Sequence, residues 1–356
     1  MANSMFLTKM CVPLTKEHRL MEDIVTSNSW AKPIKVYGYD DSVEFFGGQA
    51  YEADTNCVAE HNMGAIPSSG FNNLAWHSNR PPIEAGELKQ PPNPHSGEEY
   101  DPEKTYVTFI VGDGDNLEIL RGRNLSWLLG RQRRCSGTGS KCFPLVWSFS
   151  PQAVRVMPEF ARHAYSVAAA TGADFFNLPA SGDMYSYPST MNEPSRSNYI
   201  ETMEVDWEIM GSTTSVHWEW FYSWLHTVDR YFSRFGGKGP RGFFLTTVPY
   251  LFPMPIFFGR DEDFKVVGPE DNVVLFKSNE WKGVTGKSHE ATAREMAAKL
   301  NKREKGGLTH LYMTSDGNNA LDSFYLLAEQ LDEHVMIVND ETLVDLALQK
   351  HKRTSK

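Results

Sequence analysis

The sequence predicts an α/β protein, either a (β/α) barrel or an incomplete TIM-like barrel with parallel strands, and three observations predict it. Short β-branched or aromatic runs alternate with longer helical patterns along most of the chain. Those runs are apolar almost throughout, as strands covered on both faces should be. There are about eight of them, which favours a barrel over an open doubly wound sheet.

The strands are expected at 34–39, 106–111, 145–149, 174–178, 242–248, 272–276, 308–313 and 335–338, with 71–77 as a further candidate. Helical patterns cover 152–171, 213–235, 289–305, 319–331 and 342–350. Pro151 sits where a helix would begin and Gly172 where one would stop. The organisation expected is an N-terminal extension (1–31), a single barrel-like domain (32–348) and a basic tail (349–356). Within the domain, 79–103 is rich in Pro and charge and reads as a surface excursion or flexible linker.

Hydrophobic residues make up 40% of the chain and aromatics 12%, ample for a core. The net charge of −10 argues against a nucleic-acid partner. The basic clusters Arg131-Gln132-Arg133-Arg134 and Lys350 to Lys356 read as a solvated loop and a frayed end. No run approaches the ~18 apolar residues that cross a membrane, so no membrane partner is expected. The N-terminus has neither a long apolar region nor a small-residue cleavage site, which makes the cytoplasm the default location. Free thiols are the default for Cys11, Cys57, Cys135 and Cys142, although Cys135 and Cys142 flank a Gly/Ser-rich turn and could bridge in an oxidising compartment.

In parallel β/α folds chemistry collects where the strands end, because the following loops converge on one face. The run YVTFIV leads into Gly112-Asp113-Gly114-Asp115-Asn116, and 34–39 leads into Asp40-Asp41. DFFNL leads to Asp183, VVLF to Glu280, LTHLYM to Asp316, and 71–76 to His77. Helix capping and turn formation explain Asp316 and the Asp40-Asp41 pair equally well. They explain GDGDN less well, since glycines on both sides of Asp113 imply a tightly folded loop.

Clustered carboxylates suit two chemistries. In glycoside hydrolysis one protonated carboxyl donates to the leaving oxygen while another acts as nucleophile or base. Alternatively Asp113 and Asp115 could hold Mg²⁺ or Ca²⁺, hard cations that favour oxygen ligands. Tyr185 and Tyr187, following Asp183, offer the flat apolar faces and hydroxyls of a sugar site. His217, Trp218, Glu219 and Trp220 form a further polar and aromatic group, read as part of the 213–235 helix. Asn124-Leu125-Ser126 matches a glycosylation sequon.

YVTFIVGDGDN, SFSPQAVRVMPEFARHAY and GDMYSYP occur here in that order, and GAIPSSGFNNLAWHS precedes them. Together they resemble the GxGYxYP family of putative glycoside hydrolases, over roughly 32–348. The resemblance implies a barrel-like catalytic-type domain and a carbohydrate substrate. It attaches to Asp113, Asp115, Asn116, Gly182, Asp183, Tyr185, Tyr187 and Pro188. Met184 stands where the name-giving motif has glycine.

The resulting expectation is a glycoside hydrolase with Asp113, Asp115 and Asp183 as candidate catalysts and no obligatory cofactor. Asn116, Tyr185, Tyr187, His77, Asp40, Glu280 and Asp316 would bind substrate. Two other readings stand beside it: a non-catalytic carbohydrate-binding protein on the same fold, suggested by Met184, and a metal-dependent hydrolase using Asp113 and Asp115 as ligands.

Overall fold

Runs rich in Val, Ile, Phe and Tyr form the strands: β1 (Ile34–Tyr37), β2 (Met63–Ile66), β3 (Thr105–Val111), β4 (Leu145–Ser148), β5 (Asp174–Asn177) and β6 (Thr214–His217). They continue with β7 (Gly242–Leu245), β8 (Phe264–Val267), β9 (Val273–Phe276), β10 (Glu280–Trp281), β11 (Leu308–Met313) and β12 (Val335–Ile337). The computed structural model describes residues 11–27, 33–38, 57–67, 74–136, 142–219, 231–235, 240–246, 258–259, 262–281, 288–313 and 321–354.

One sheet runs β10-β11-β3-β4-β5, with β12 also paired to β3, and a second runs β6-β7-β9-β8. The two meet at a parallel bridge between Leu178 and Ser215. Strands β3, β4, β5, β6, β7 and β9 therefore lie side by side in chain order, all parallel. The described strands form no closed sheet, so the fold is a mixed α/β arrangement of parallel sheets rather than a demonstrated closed barrel. β8 is the exception to the parallel expectation: Gly268 (φ +93°) and Asp271 (φ +47°) turn it antiparallel onto β9.

β3 to β7, β9 and β11 bury both faces. Tyr106, Ile110, Val146, Phe175, Val216, Phe244, Phe276 and Tyr312 point into one cluster. Val107, Phe109, Trp147, Phe176, Phe243 and Leu245 point into a second, shared with the helices. At roughly 1.5–3 kcal/mol for each large apolar side chain removed from water, these two layers dominate stability.

The helices are α1 (Lys16–Ser27), α2 (Leu74–Ser78), α3 (Leu125–Cys135), α4 (Pro151–Val156), α5 (Pro158–Thr171) and α6 (Ser195–Met210), followed by α7 (His289–Asn301), α8 (Leu321–Ala328) and α9 (Asp340–Thr354). Ser150 caps α4, its hydroxyl accepting from Gln152 N at 3.2 Å, with Pro151 in the first helical position. Gly172 (φ +65°) ends α5. Pro158 divides the expected single helix into α4 and α5, because a proline nitrogen cannot donate to the preceding turn.

Several expectations change. The 213–235 helix does not begin where expected: Gly211 (φ +60°) stops α6, and the β-branched residues after it form buried β6. Of the 71–77 strand candidate, 74–77 lie in α2, whose Trp76 is exposed, and 71–73 lie outside the described residues. The excursion at 79–103 is a pinned strap. Gln90 donates to the carbonyls of Phe176 and Met210, and Arg162 holds the carbonyls of Pro81 and Pro82. Arg131 is not in a solvated loop but fully buried on α3. The basic tail begins as the last turns of α9, where Lys350 donates to the Gly306 carbonyl at 2.8 Å.

The cysteines are paired as Cys11–Cys57 and Cys135–Cys142 rather than free. Disulfides persist in oxidising compartments, which runs against the cytoplasmic default. Cys11 packs at the edge of a small satellite core of Met21, Val58 and Met63, so the N-terminal extension is joined to the β1–β2 layer. No helix among the described residues is long and apolar enough to cross a membrane.

Candidate active site

β3 ends in a loop that glycine makes possible. A Cβ on Gly112 would lie 2.5 Å from the Tyr312 ring, and one on Gly114 would lie 1.6 Å from the Ser148 carbonyl oxygen. Between them Asp113 takes φ +59°, a left-handed conformation that Asp tolerates better than most residues. Tyr312 Oη accepts from Asp113 N at 3.1 Å, and Ser148 Oγ accepts from Gly114 N at 3.0 Å. The loop is thus bolted to β11 on one side and β4 on the other.

This fixes two carboxyls in unlike surroundings. Asp115 is 9% exposed, and burial, followed by the neighbouring Asp113 charge, pushes its carboxyl up to about 7. Asp113 is more open and has the Arg123 guanidinium 3.4 Å from Oδ2. Arg123 is itself held by the Gly112 carbonyl at 2.9 Å. Asn116 caps the following helical turn, its Oδ1 accepting from Glu118 N and Ile119 N. That oxygen serves the fold rather than a ligand. Asn124, the sequon residue, is buried against Arg123 and the Gly112 carbonyl, out of reach of a glycan in the folded chain.

The second expected loop, after β5, is equally constrained. Gly182 takes φ +101°, and a Cβ there would lie 2.3 Å from Met203 Cε. Met184 has no positive φ and packs over Gly64, where a Cβ would meet the Met184 Cβ at 2.7 Å. The glycine missing from the motif is therefore compensated by a glycine on β2. Tyr185 exchanges both backbone hydrogen bonds with Ala65 at 2.9 Å, which seats the β1–β2 layer on this loop.

The sequence expects Asp183 as a further carboxyl catalyst, but its side chain is engaged in a buried ion-pair network. Gln152 and Arg155 donate to Oδ1, with the Arg155 contact at 2.8 Å, and Lys35 lies 3.4 Å from Oδ2. Arg155 also pairs with Asp206 on α6. Burial, then the Asp183 charge, hold the Asp206 carboxyl well above the usual range, and burial lowers the Lys35 ammonium. This network clamps the loop to α4, α6 and β1. The charges that act on Asp115 are different ones, Asp113 and Arg123.

Tyr185 is half-buried against Trp218, with ring centres 4.5 Å apart. Tyr187 is fully buried and supports Trp218 from 5.1 Å, so it offers no open stacking face. Trp218 and Glu219 follow β6 directly and were obscured by the helical reading of 213–235. Glu219 is buried, accepts from Ser189 N and Ser189 Oγ at 3.0 and 2.7 Å, and lies 3.1 Å from His217 Nε2. The signal that could have found them is the β-branched Thr213, Thr214 and Val216, two to five residues after the helix-stopping Gly211.

His77 lies on α2, half-buried, its imidazole depressed by burial and then by Arg121 and Arg80. Glu280 begins β10, whose pairing sets it beside Tyr312; its side chain, like all of Asp40, Asp316 and Trp220, lies outside the described residues. His310 is fully buried inside β11, and burial pushes its imidazole down to about 3, as suits a packed neutral histidine. Among the described residues, no three His, Cys, Asp or Glu side chains converge as metal ligands. A cleft of about 260 Å³ lined by His95, Glu98, Arg241 and Asp345 opens at the opposite end, where Arg241 precedes β7.

A known structure shares this architecture. A putative hydrolase from Bacteroides thetaiotaomicron VPI-5482 superposes with a TM-score of 0.65 at 20% identity, over 94% of this chain and 60% of that one. The likeness concerns the fold, and the chain spans about three-fifths of that protein's length. No curated protein matches the chain. The model of the GxGYxYP putative glycoside hydrolase C-terminal domain matches residues 103–347, from just before β3 into α9. On that match, the chain belongs to the GxGYxYP putative glycoside hydrolase C-terminal domain family.

Proposed function

We propose that the chain is a carbohydrate hydrolase in which Asp115 donates the proton to the leaving oxygen and Asp113 is the ionised carboxylate. The observation that carries this reading is the contrast between the two. Asp115 is buried beside a like charge and holds its proton up to about pH 7, while Asp113 has a guanidinium counter-charge. Carboxyls with environments that diverge in this way divide into acid and base or nucleophile.

Tyr185, half-buried and backed by Trp218, supplies an aromatic face at the same rim, while the Asp183 network positions the loop that carries it. The family's name supports a glycan substrate. Arg123 already compensates Asp113, which favours direct carboxyl catalysis over a Mg²⁺ or Ca²⁺ site at Asp113 and Asp115. Met184 gives the non-catalytic reading no support, because Gly64 accommodates it.

The test uses a panel of natural oligosaccharides and aryl glycosides with activated leaving groups. Asp115→Asn should lose natural-linkage cleavage by on the order of 10²–10⁴-fold, and much less on activated aryl glycosides, which need little proton donation. Asp113→Asn should lose both. Wild-type-like turnover by Asp115→Asn would remove it from the mechanism, and loss of activity on chelation, restored by Mg²⁺ or Ca²⁺, would favour a metal-dependent route.

A further inference from the structure

Trp76 on α2 is 57% exposed, the most open large aromatic side chain among the described residues. Arg80, just past the helix, lays its guanidinium over the indole, 3.9 Å from the ring centre. His77 packs edge-on to the same indole, with 4.9 Å between ring centres. Among the described residues the charges acting on that histidine are Arg121 and Arg80, both positive. Arg121 is exposed and belongs to the helical turns at 117–124, which follow Asp115. The start of those turns is tied to the end of β2, where the Pro67 carbonyl accepts from Leu117 N at 2.8 Å. Two cations therefore meet at the Trp76–His77 corner, beside the Asp113–Asp115 loop.

Arg80 differs from the arginines that serve the loops. Arg123 and Arg155 each meet a carboxylate, at 3.4 and 2.8 Å. Among the described residues Arg80 meets none, and its side chain donates to no protein acceptor. Stacking on Trp76 holds the guanidinium in place without using any of its N–H donors. That planar fork matches the paired oxygens of a carboxylate or a sulfate, which it binds bidentately. The chain carries a net charge of −10, so attraction of anions is not a general property of its surface. It belongs to this corner.

We propose that Arg80 on Trp76, reinforced by Arg121, is a subsite for an acidic sugar residue. The guanidinium takes the carboxylate or sulfate ester, and the open part of the indole takes the apolar face of the same ring. Lying on open surface, the subsite needs no cavity and suits one residue of a longer chain whose cleaved bond lies at the Asp115 loop. The assignment rests on the carbohydrate reading of that loop and narrows it to acidic glycans, but it concerns binding and is tested without turnover.

Calorimetric titration of the full chain at low ionic strength compares two matched pairs. One is an oligogalacturonate and its methyl ester, the other a sulfated galactan oligosaccharide and its desulfated form. In at least one pair the charged member should bind about tenfold more tightly than the neutral one, and the pair that responds separates carboxylate from sulfate. Arg80→Gln should abolish that preference and Trp76→Leu should weaken it severalfold, with Tm unchanged because both side chains are exposed. Arg294→Gln, the same charge change at an exposed position of α7, should leave it intact. Equal binding within both pairs, a preference that survives Arg80→Gln, or one that Arg294→Gln removes as well overturns the proposal. Binding of none of the four also overturns it, while turnover of any glycan would keep the hydrolase reading. A preference lost in Arg80→Gln, in a protein that cleaves no glycan, upholds the subsite and removes the hydrolase reading alone.

Discussion

Gly114 approaches the backbone of Ser148 so closely that a methyl group in place of its hydrogen would lie 1.6 Å from the Ser148 carbonyl oxygen. The obstacle is backbone on a central strand, which cannot swing aside as a side chain can. Gly114→Ala must therefore push the Asp113–Asp115 loop off β4 and break the Gly114 N to Ser148 Oγ hydrogen bond. The expected cost is about 2 kcal/mol or more, above the middle of the overpacking range. Urea denaturation measures it, and Asp115 should titrate lower in the variant because water reaches the displaced carboxyl. An unaltered midpoint and titration would mean that the loop is not held where the structure places it.

The raised pKa of Asp115 has a consequence for stability. An aspartate titrates near 3.8 when unfolded and here at about 7, so the folded state binds the proton more tightly. Its stabilising contribution is complete below the unfolded value and is lost as pH rises through about 7. Asp340 behaves in the same way, raised to about 7 by burial at the start of α9. Between pH 4 and 8 stability should fall, with each group contributing up to roughly 4 kcal/mol. Asp115→Asn and Asp340→Asn should each flatten that fall, and thermal melts across the pH range compare the two. A single variant that removes the whole slope would assign the proton uptake to one site.

Much of this fold was legible because buried strands announce themselves. The runs behind β3, β4 and β11 are apolar on both faces, and no helical period fits such short stretches. β6 was hidden because its residues, Thr214 to His217, adjoin Trp and Phe positions with helix-like spacing. The same helix-like spacing hides Trp218 and Glu219. Asp115 could be read from its glycines. The engagement of Asp183 could not, since Lys35, Gln152 and Asp206 come from three distant segments that only the fold brings together. Met184 misled for a related reason: the residue that accommodates it, Gly64, belongs to β2, far back in the sequence.

Arg131 illustrates how a charge run can conceal a core residue. Its guanidinium is fully buried and donates to Asp174 at 2.6 Å, to Tyr325 Oη at 3.1 Å and to the Phe143 carbonyl at 2.8 Å. Asp174 Oδ1 also accepts from the Trp147 indole at 2.8 Å. Removing one member leaves the other charge buried without compensation. Arg131→Met should therefore cost about 3–5 kcal/mol, whereas Arg134→Met, whose ion pair with Asp322 is exposed, should cost well under about 1 kcal/mol. Chemical denaturation of the two variants side by side checks the contrast, and equal costs would contradict the burial assigned to Arg131.

The disulfides differ in what they restrain. Cys11–Cys57 closes 46 residues and ties the segment before α1 to the satellite core, while Cys135–Cys142 closes seven beyond α3. Loop-closure entropy then assigns roughly 4 kcal/mol to the first and roughly 2 kcal/mol to the second. Cys11→Ser with Cys57→Ser should destabilise the β1–β2 layer and, through Lys35 and Ala65, loosen the Asp183–Tyr185 loop. Cys135→Ser with Cys142→Ser should leave that loop unaffected. Hydrogen exchange at Tyr185 N, which donates to Ala65, reads the difference directly. Alkylation of the oxidised protein should meanwhile label no cysteine until reductant is added. Equal exchange at Tyr185 in both double variants would uncouple the N-terminal layer from the candidate site.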